Sequence, residues 1–368
     1  MPRRELIKNV RRIVVKIGTS SLTEGGKISG DKISRFVSDI AAVKKQGYQV
    51  IIVSSGAITA GAGQINKKRE TLSIPEKQAM AAVGQVILIN EYRKHFIKKG
   101  YNVGQILLTE DDVKHRRRFL NARHTMEALL ELDVIPIVNE NDTVVVKEIK
   151  FGDNDTLSAH VASLIDADLL VLLSDVDGFF WDLADAKPVE EIRKITPEIL
   201  ERAGGSGSAD GTGGMMTKIR AAEMIIHFGE KMIIANGCEE KAVQRIMKGE
   251  NIGTIFIGNE KRLSSRKKWV ALRKARGTLV LDDGAVDALV NKKKSLLASG
   301  ILTVDGTFDM GMAVDLADKN GAVVGKGIVN YNSGELDRIK GKNTRHIREI
   351  LGSTYFEEVI NRDDMIIF

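Results

Sequence analysis

Short apolar runs alternate with amphipathic stretches through the first 260 residues of the chain, and this pattern predicts strands and helices in turn. Arg12–Ile17 and Gln49–Val53 are rich in β-branched residues, and each run leads into small polar residues. Leu169–Leu173 is apolar without interruption, as is typical of a parallel strand that is buried on both faces. Between the first two runs, one face of a helix is marked by Ile33, Phe36, Val37, Ile40 and Val43. The pattern therefore predicts an α/β domain in which helices sandwich an open, mostly parallel sheet.

Other segments of the same region extend this prediction. Further strands are predicted at Val103–Leu108, Val134–Val138, Met232–Ala235 and Thr254–Ile257. Further helices are predicted over residues 75–98, 121–132, 156–165 and 239–247. The alternating segment Val144–Lys150 predicts a projecting hairpin.

Beyond residue 276 the chain changes character, because short strands separated by turns replace the alternating pattern. The turns include Asp283-Gly284, Asp305-Gly306 and Asn320-Gly321. A chain of 368 residues is long enough for two hydrophobic cores. We therefore predict three segments: a sheet domain at residues 1–260, a basic linker at 261–276, and a small, mostly β domain with a C-terminal tail at 277–368.

The positive charge of the chain is concentrated in one short segment. The sequence pI is about 9.1 and the formal net charge is +6. Residues 261–276 hold 8 basic and no acidic side chains, whereas residues 1–260 hold 36 basic and 35 acidic ones, and residues 277–368 hold 11 and 14. A solvated linker explains this distribution better than a nucleic-acid-binding face, which would spread its charge over a domain.

Several classes of protein are disfavoured by composition. No apolar run reaches the ~18 residues of a membrane span, and the first residues lack the apolar core of a signal peptide, so we expect a soluble protein of the cytoplasm. Cys238 is the only cysteine, which excludes an internal disulfide and a cysteine-based metal site. The six histidines show no metal-ligand spacing and no serine elbow is present, so zinc and hydrolase functions have little support.

Polar residues follow the predicted parallel strands at the points where the strands end. Lys16 stands at the end of the first strand, where a lysine is costly unless an anionic ligand or an ion-pair partner meets it. Ser54–Ile58, Asn139–Asp142 and Ser174–Gly178 follow three other strands. Because the carboxyl ends of parallel strands share one edge of the sheet, this arrangement favours a ligand site there. Turn formation and helix capping are the alternative, and Asp155 could cap the helix that follows it.

A glycine-rich loop, Gly211–Lys218, runs directly into a helical pattern at Ile219–Ile226. Glycines let backbone N–H groups gather around a phosphate, and the positive end of a helix dipole adds to the attraction, so we interpret the loop as an anion cradle. It is not a Walker A loop, because its lysine follows the threonine. Taken alone, the loop could equally be a mobile surface turn.

Five motifs occur together and in order, and in combination they are more specific than any one of them. The motifs are Val15–Ser20, Ser54–Ile58, Asn139–Asp142, Gly152–Asp155 and Gly211–Met215. On these residues the sequence resembles the glutamate 5-kinases of the amino acid kinase superfamily, over nearly the whole chain. The C-terminal segment is similar to the PUA domain of the longer bacterial members. Any one motif would indicate only the superfamily.

The resemblance implies the amino acid kinase fold and phosphoryl transfer from ATP to the side-chain carboxylate of L-glutamate, the first step of proline biosynthesis. The residues agree with this chemistry, because a carboxylate with an ordinary pKa of about 4.3 is ionised at neutral pH and needs no catalytic base. Charge neutralisation and alignment are needed instead. Mg²⁺ would be held mostly by the phosphates of ATP, which fits the absence of a metal-ligand motif in the sequence.

The resemblance also implies which residues serve the phosphoryl group. Lys16 and Lys218 match the two lysines that flank the transferred group, and Asp155 matches the acid that orients them. The residues that match nucleotide-binding positions are Lys16, Ser174, Asp175, Thr212, Gly213, Gly214, Met215, Met216, Thr217 and Lys218.

Ser55, Asp142 and Asn154 match glutamate-binding positions of the family, with Asp142 as the partner of the α-ammonium group. Two positions differ from common residues of the family: Ser174 stands where Thr also occurs, and Met216 stands where Ser also occurs. Neither difference removes a charge, so neither changes the implied reaction.

The resemblance further implies proline as a feedback inhibitor, assembly into dimers or tetramers, and possible delivery of the product to a glutamyl phosphate reductase. Two alternatives stay open. A kinase of N-acetylglutamate, aspartate, carbamate or a nucleotide would share the fold. An RNA-binding or RNA-modifying protein would explain the PUA-like segment and the basic linker, but the net charge of −3 over residues 277–368 argues against RNA as a partner.

Overall fold

A computed structural model describes residues 1–144, 154–182, 185–204, 214–258, 263–352 and 356–368 of the chain. It divides the chain into two compact units, Met1–Arg262 and Leu263–Phe368. The predicted hairpin lies outside the described residues from residue 145 onwards, and so do residues 205–213 of the glycine-rich approach to Lys218. No helix in the described residues is long and apolar enough to cross a membrane.

The first unit is built on an eight-stranded sheet. Its strands are β1 (Arg12–Ile17), β4 (Gln49–Ser54), β5 (Val103–Leu108), β6 (Ile135–Glu140), β7 (Leu169–Ser174), β8 (Glu191–Ile192), β9 (Lys231–Asn236) and β10 (Thr254–Ile257). A separate hairpin pairs β2 (Thr23–Glu24) with β3 (Lys27–Ile28). The order in the large sheet is β5-β6-β4-β1-β7-β9-β10-β8. All neighbours from β5 through β9 are parallel, and β10 is antiparallel to β9. The predicted, mostly parallel sheet is confirmed.

Helices cover both faces of this sheet, and the alternation within β1 decides which face each side chain meets. The helices are α1 (Arg3–Ile7), α2 (Thr19–Leu22), α3 (Gly30–Lys45), α4 (Ala57–Gln64), α5 (Ile74–Ile97), α6 (Glu110–Lys114), α7 (Arg116–Glu131), α8 (Asn154–Leu164), α9 (Pro197–Ala203), α10 (Met215–His227) and α11 (Ala242–Met247). Ile13, Val15 and Ile17 pack into the core shared with α3, α5 and α11. Lys16 therefore lies on the opposite face, where it contacts α8.

Helices α4 and α5 cross with their backbones in contact. A Cβ atom on Gly84 would lie 1.8 Å from the carbonyl oxygen of Ala57, and a Cβ atom on Gly61 would lie 2.0 Å from that of Met80. Only glycine permits such an approach. Gly56, with φ of +97°, forms the turn between β4 and α4. The crossing consequently holds α5 beside the turn that ends β4.

Helix α7 begins five residues before the start predicted at residue 121. The prediction rested on apolar periodicity, and the first turn of α7 is a basic run that shows little of it. Helix α5 agrees closely with the predicted range 75–98, because a capping box between Ser73 and Glu76 and a proline in the first turn mark its start.

The second unit contains a five-stranded sheet. Its strands are β11 (Gly277–Leu281), β12 (Ile301–Gly306), β13 (Ala313–Ala317), β14 (Val323–Ile328) and β15 (Met365–Ile367), in the order β12-β11-β13-β14-β15. Its helices are α12 (Ser265–Leu272), α13 (Asp283–Val290), α14 (Ser333–Ile339) and α15 (Thr344–Leu351). Strands β11 and β13 are parallel, and the other neighbours are antiparallel. The predicted small β module is confirmed as a sheet, to which helices contribute part of the core.

Helix α12 lies in the segment that the charge distribution predicted to be a solvated linker. The structure assigns residues from Leu263 onwards to the second unit, and α12 packs against β14 and β15. Trp269 and Val270 are buried, and the guanidinium of Arg266 lies 2.5 Å from the carboxylate of Asp364. The charge distribution did not predict this helix, because the apolar face of α12 consists of few residues among many basic ones.

Candidate active site

The carboxyl ends of β1, β4, β6 and β7 meet at one edge of the sheet, where a cavity of about 250 Å³ opens. The described residues that line it are Lys16, Gly18, Thr19, Ser20, Ser55, Gly56, Ala57, Ile58, Thr59, Arg69, Asn139, Glu140, Asp142, Asn154, Ser174, Asp175 and Lys218. The predicted site residues among them are Lys16, Ser55, Asp142, Asn154, Ser174, Asp175 and Lys218. Residues that are distant in sequence therefore share one cavity.

Lys16, Asp155 and Lys218 form a buried ion cluster at this cavity. The Nζ atom of Lys16 lies 2.5 Å from Oδ1 of Asp155, and the Nζ atom of Lys218 lies 3.0 Å from Oδ2. The side chain of Asp155 is fully buried, and those of Lys16 and Lys218 are 6% and 4% exposed. Asp155 is the second residue of α8, and its two carboxylate oxygens each contact one of the lysines.

The two lysines keep Asp155 ionised. Burial alone would raise the pKa of its carboxyl group, but the charges and hydrogen bonds of Lys16 and Lys218 outweigh burial and lower the pKa below its ordinary value of 3.8. Two ammonium groups and one carboxylate together carry a charge of +1. A buried cluster of this charge at a cavity wall favours an anionic ligand.

Helix α10 begins at Met215 beside the same cluster. Its N-cap is Gly214, which provides no side-chain hydrogen bond to the first turn. The hydroxyl group of Thr217 donates to Oδ2 of Asp155 at 3.1 Å, which ties the first turn of α10 to α8. N–H groups at a helix start, together with the positive dipole end, suit a phosphate group. Thr212 and Gly213 lie outside the described residues, so their nucleotide contacts stay predictions.

Neutral polar side chains form another part of the wall. The Nδ2 atom of Asn154 lies 2.7 Å from Oγ of Ser55, 3.0 Å from the carbonyl oxygen of Ser54 and 3.1 Å from Oδ1 of Asn139. Asn139, which is 2% exposed, donates in turn to Oε1 of Gln85 at 2.8 Å. These bonds connect the ends of β4 and β6 to the start of α8.

Acidic side chains complete the site at two strand ends. Glu140 ends β6 and Asp142 follows it, and both line the cavity, where a carboxylate can bind a cationic group of a ligand. At the end of β7, the hydroxyl group of Ser174 donates to Oδ1 of Asp175 at 2.9 Å, and Asp175 is exposed. In the described part of the chain, no group of three or more His, Cys, Asp or Glu side chains could hold a metal ion. The donor set therefore does not fit a metal cage of the protein's own.

Ten of the cavity residues were not among the predicted site residues, and Asn139, Glu140 and Arg69 are three of them. Asn139 and Glu140 are the last two residues of β6 and belong to the polar motif Asn139–Asp142, which the sequence marked as a strand end, but nothing in the pattern indicated that they line the cavity together with Asp142. Arg69 is exposed on the single helical turn Arg69–Thr71, between α4 and α5. No sequence pattern marks that turn, so only the folded chain brings it to the cavity.

Comparison with known proteins agrees with this architecture. The model of the amino acid kinase family matches residues 11–236, and that of the PUA domain matches residues 277–351. The glutamate 5-kinase of Caldanaerobacter subterraneus subsp. tengcongensis is 46% identical over 362 residues, which cover 97% of each chain. The chain belongs to the glutamate 5-kinases of the amino acid kinase family.

Other relatives extend over the same length. The glutamate 5-kinase of Carboxydothermus hydrogenoformans is 46% identical over 370 residues, or 99% of each chain. Among solved structures, a carbamate kinase from Giardia is 19% identical with a TM-score of 0.49, and the match covers 68% of this chain and 100% of that one. That likeness is too distant to bear on the assignment within the family.

Proposed function

We propose that this glutamate 5-kinase family member transfers the γ-phosphoryl group of ATP to the side-chain carboxylate of L-glutamate and so begins proline biosynthesis. The observation that carries the proposal is the buried cluster of Lys16, Asp155 and Lys218. It lies at a cavity whose other walls offer carboxylates and amides to an amino acid. Membership of the family supports the same reaction.

The two lysines serve the transfer itself. Lys16 and Lys218 neutralise negative charge where the glutamate carboxylate and the phosphoryl group must approach each other. A carboxylate oxygen forms the new bond to the γ-phosphorus, while the bond to the bridging oxygen breaks and leaves its electron pair on ADP. Asp155 does not touch the reacting atoms in this scheme. It holds both ammonium groups in place through its two oxygens.

The polar wall serves recognition of the amino acid. Asp142 pairs with the α-ammonium group of glutamate, and Ser55 and Asn154 contact the substrate beside it. An acetylated amine carries no charge for Asp142, so the same wall would bind N-acetylglutamate poorly. This difference separates the proposed substrate from that of a related kinase.

The nucleotide lies against the start of α10 in this proposal. Ser174, Asp175 and residues 212–218 bind ATP, whose phosphates face the N–H groups of the first turn. The ATP phosphates would hold Mg²⁺, which would supply additional neutralisation of their charge.

The experiment that tests the proposal traps the acyl phosphate with hydroxylamine and measures the hydroxamate. We expect hydroxamate from L-glutamate only when ATP and Mg²⁺ are both present, and little from N-acetylglutamate or aspartate. Reactions without protein and without glutamate are the controls. ADP release that does not depend on glutamate, or a preference for N-acetylglutamate, would show that the proposed substrate is wrong.

Four further expectations follow from the family and belong to the same proposal: inhibition by proline, assembly into dimers or tetramers, delivery of the labile product to a glutamyl phosphate reductase, and a cytoplasmic location. Proline titration against glutamate turnover tests the first. Light scattering of the purified chain tests the second.

A further inference from the structure

A chain of three side-chain amides runs from helix α5 to the cavity wall. Asn139 donates from Nδ2 to Oε1 of Gln85 at 2.8 Å, and Asn154 donates from Nδ2 to Oδ1 of Asn139 at 3.1 Å. Gln85 follows Gly84, whose backbone contact with α4 holds this part of α5 in place. The position of Gln85 relative to Asn139 is therefore fixed by the helix crossing and not by a flexible loop.

Two backbone groups fix the direction of these hydrogen bonds. The N–H group of Glu140 donates to Oδ1 of Asn139 at 2.9 Å, and the carbonyl oxygen of Ser54 accepts from Nδ2 of Asn154 at 3.0 Å. Rotation of the Asn139 amide by 180° would bring its NH₂ group against the N–H of Glu140 and the NH₂ of Asn154. Because backbone donors and acceptors cannot exchange roles, only one orientation satisfies both amides.

This orientation leaves one acceptor at the wall. The Oδ1 atom of Asn154 is buried and has no hydrogen-bond partner among the described residues, although Asn154 lines the cavity. A buried acceptor without a donor is unfavourable, so a ligand that provides a donor gains from meeting it. In glutamate the ammonium group is such a donor, and Asp142 on the same wall supplies the opposite charge.

Gln85 provides the last acceptor of the three hydrogen-bonded amides. Asn139 is 2% exposed, so water has little access to replace the bond that its NH₂ group makes to Gln85. Without an acceptor at residue 85, this NH₂ group is left buried and unpaired, and the amide leaves its position to find a partner. Asn154 would then keep the Ser55 hydroxyl and the Ser54 carbonyl oxygen as acceptors, but it would lose the contact with Asn139 that holds its amide from the side of β6.

We propose that Gln85 is a positioning residue for substrate binding, which acts through Asn139 to hold the Asn154 carbonyl oxygen ready for the substrate ammonium group. The inference rests on the proposed function, since it assigns the donor to glutamate. Among the described residues, no hydrogen bond joins Gln85 to the ion cluster or to the start of α10, so we expect its effect to be confined to the amino acid.

The test compares three variants of the full chain in the hydroxylamine assay. Gln85→Met keeps the length of the side chain and removes the acceptor, whereas Gln85→Glu keeps an acceptor for Asn139. Gln105→Met is the matched control, because Gln105 lines the same neighbouring cavity as Gln85 and, among the described residues, forms no hydrogen bond with the amide chain. Thermal unfolding of each variant shows that it is folded, and Gln85→Ala replaces the Met variant if that one does not fold.

We expect Gln85→Met to raise KM for glutamate by about 10-fold, while kcat and KM for ATP change by less than about 3-fold. Gln85→Glu should recover most of the lost affinity, and Gln105→Met should match the wild type. A wild-type KM in Gln85→Met, equal losses in the Glu and Met variants, or a parallel loss for ATP would each overturn the inference. If the wild type itself does not phosphorylate glutamate, the proposed function fails instead.

Discussion

Two lysine–aspartate contacts of nearly equal length differ completely in their surroundings. Lys16 and Asp155 are 2.5 Å apart in the first unit, with side chains 6% and 0% exposed. Lys319 and Asp283 are 2.6 Å apart in the second unit, with side chains 56% and 73% exposed. Water screens the second pair and competes for its hydrogen bonds, so it contributes little to stability. Distance alone therefore does not tell which contact matters.

The buried contact is costly to form, and its composition explains why the chain retains it. Removing charges from water carries a penalty that their mutual attraction only partly offsets. In the cluster, one carboxylate serves two ammonium groups, and the three groups carry a charge of +1. An anionic phosphoryl group completes this arrangement, whereas an apolar replacement could not. We infer that the cluster is retained for binding and catalysis and not for stability.

The largest expected effect comes from removing one ammonium group of the cluster. Lys218→Met should lower kcat by about 10³-fold, with a much smaller change in KM for glutamate, because the lost charge acts on the transferred group. The hydroxylamine assay measures both constants. Lys319→Met is the matched control, since it also removes a lysine that forms an ion pair with an aspartate, at 2.6 Å, and it should behave as the wild type does. Equal activity in the two variants would contradict the contrast.

The next effect concerns stability. Asp155→Asn leaves two buried ammonium groups without their shared carboxylate, and it should lower the free energy of unfolding by about 3 to 5 kcal/mol. Urea denaturation measures this value. ATP should return part of the loss, because its phosphates bind the folded state and supply negative charge. A variant as stable as the wild type would mean that the cluster is hydrated, like the pair in the second unit.

The smallest effect appears in acid. The pKa of Asp155 is lowered in the folded chain, so its ionised form stabilises the fold above the ordinary pKa of 3.8. This contribution should decrease as the pH falls from 3.8 towards the lower pKa of Asp155 in the folded state. In this range the unfolded state binds a proton that the folded state does not bind, and this difference favours unfolding. Denaturation of the wild type and Asp155→Asn between pH 5 and about 2.5 should show the two curves converging. Parallel curves would show that Asp155 has an ordinary pKa.

Particular elements show why part of the structure was predictable. The strands were predicted correctly because apolar runs that end in polar residues are local patterns. Lys16 was predicted to meet an anionic ligand or an ion-pair partner because it stands at the end of such a run. Helix α12 was missed because basic residues surround its small apolar face, and only packing against β14 and β15 reveals that face. The start of α7 was missed for a similar reason.

The candidate site likewise contains residues that the sequence predicted and residues that only the folded structure brings together. Lys218 was predicted from a glycine-rich loop that runs into a helix, a local pattern with a chemical meaning. Gln85 lies within a long helix, where nothing distinguishes it from other polar positions. Its contact with Asn139 exists because two glycines let α4 and α5 approach closely. A pattern read along the chain cannot contain such a crossing.

The sequence by itself determined the succession of strands and helices, the small β unit at the end, and the position of most charged site residues at strand ends, because these properties depend on neighbours within a few residues. Only the tertiary structure decided that Lys16 and Lys218 share the two oxygens of Asp155, and that the Asn139 amide points its NH₂ group at Gln85. The burial of these three charged side chains also depends on the tertiary structure. Since the strength of the interaction between charges depends on how much water surrounds them, the assembly of the sheet and its helices distinguishes the buried cluster from an ordinary surface ion pair.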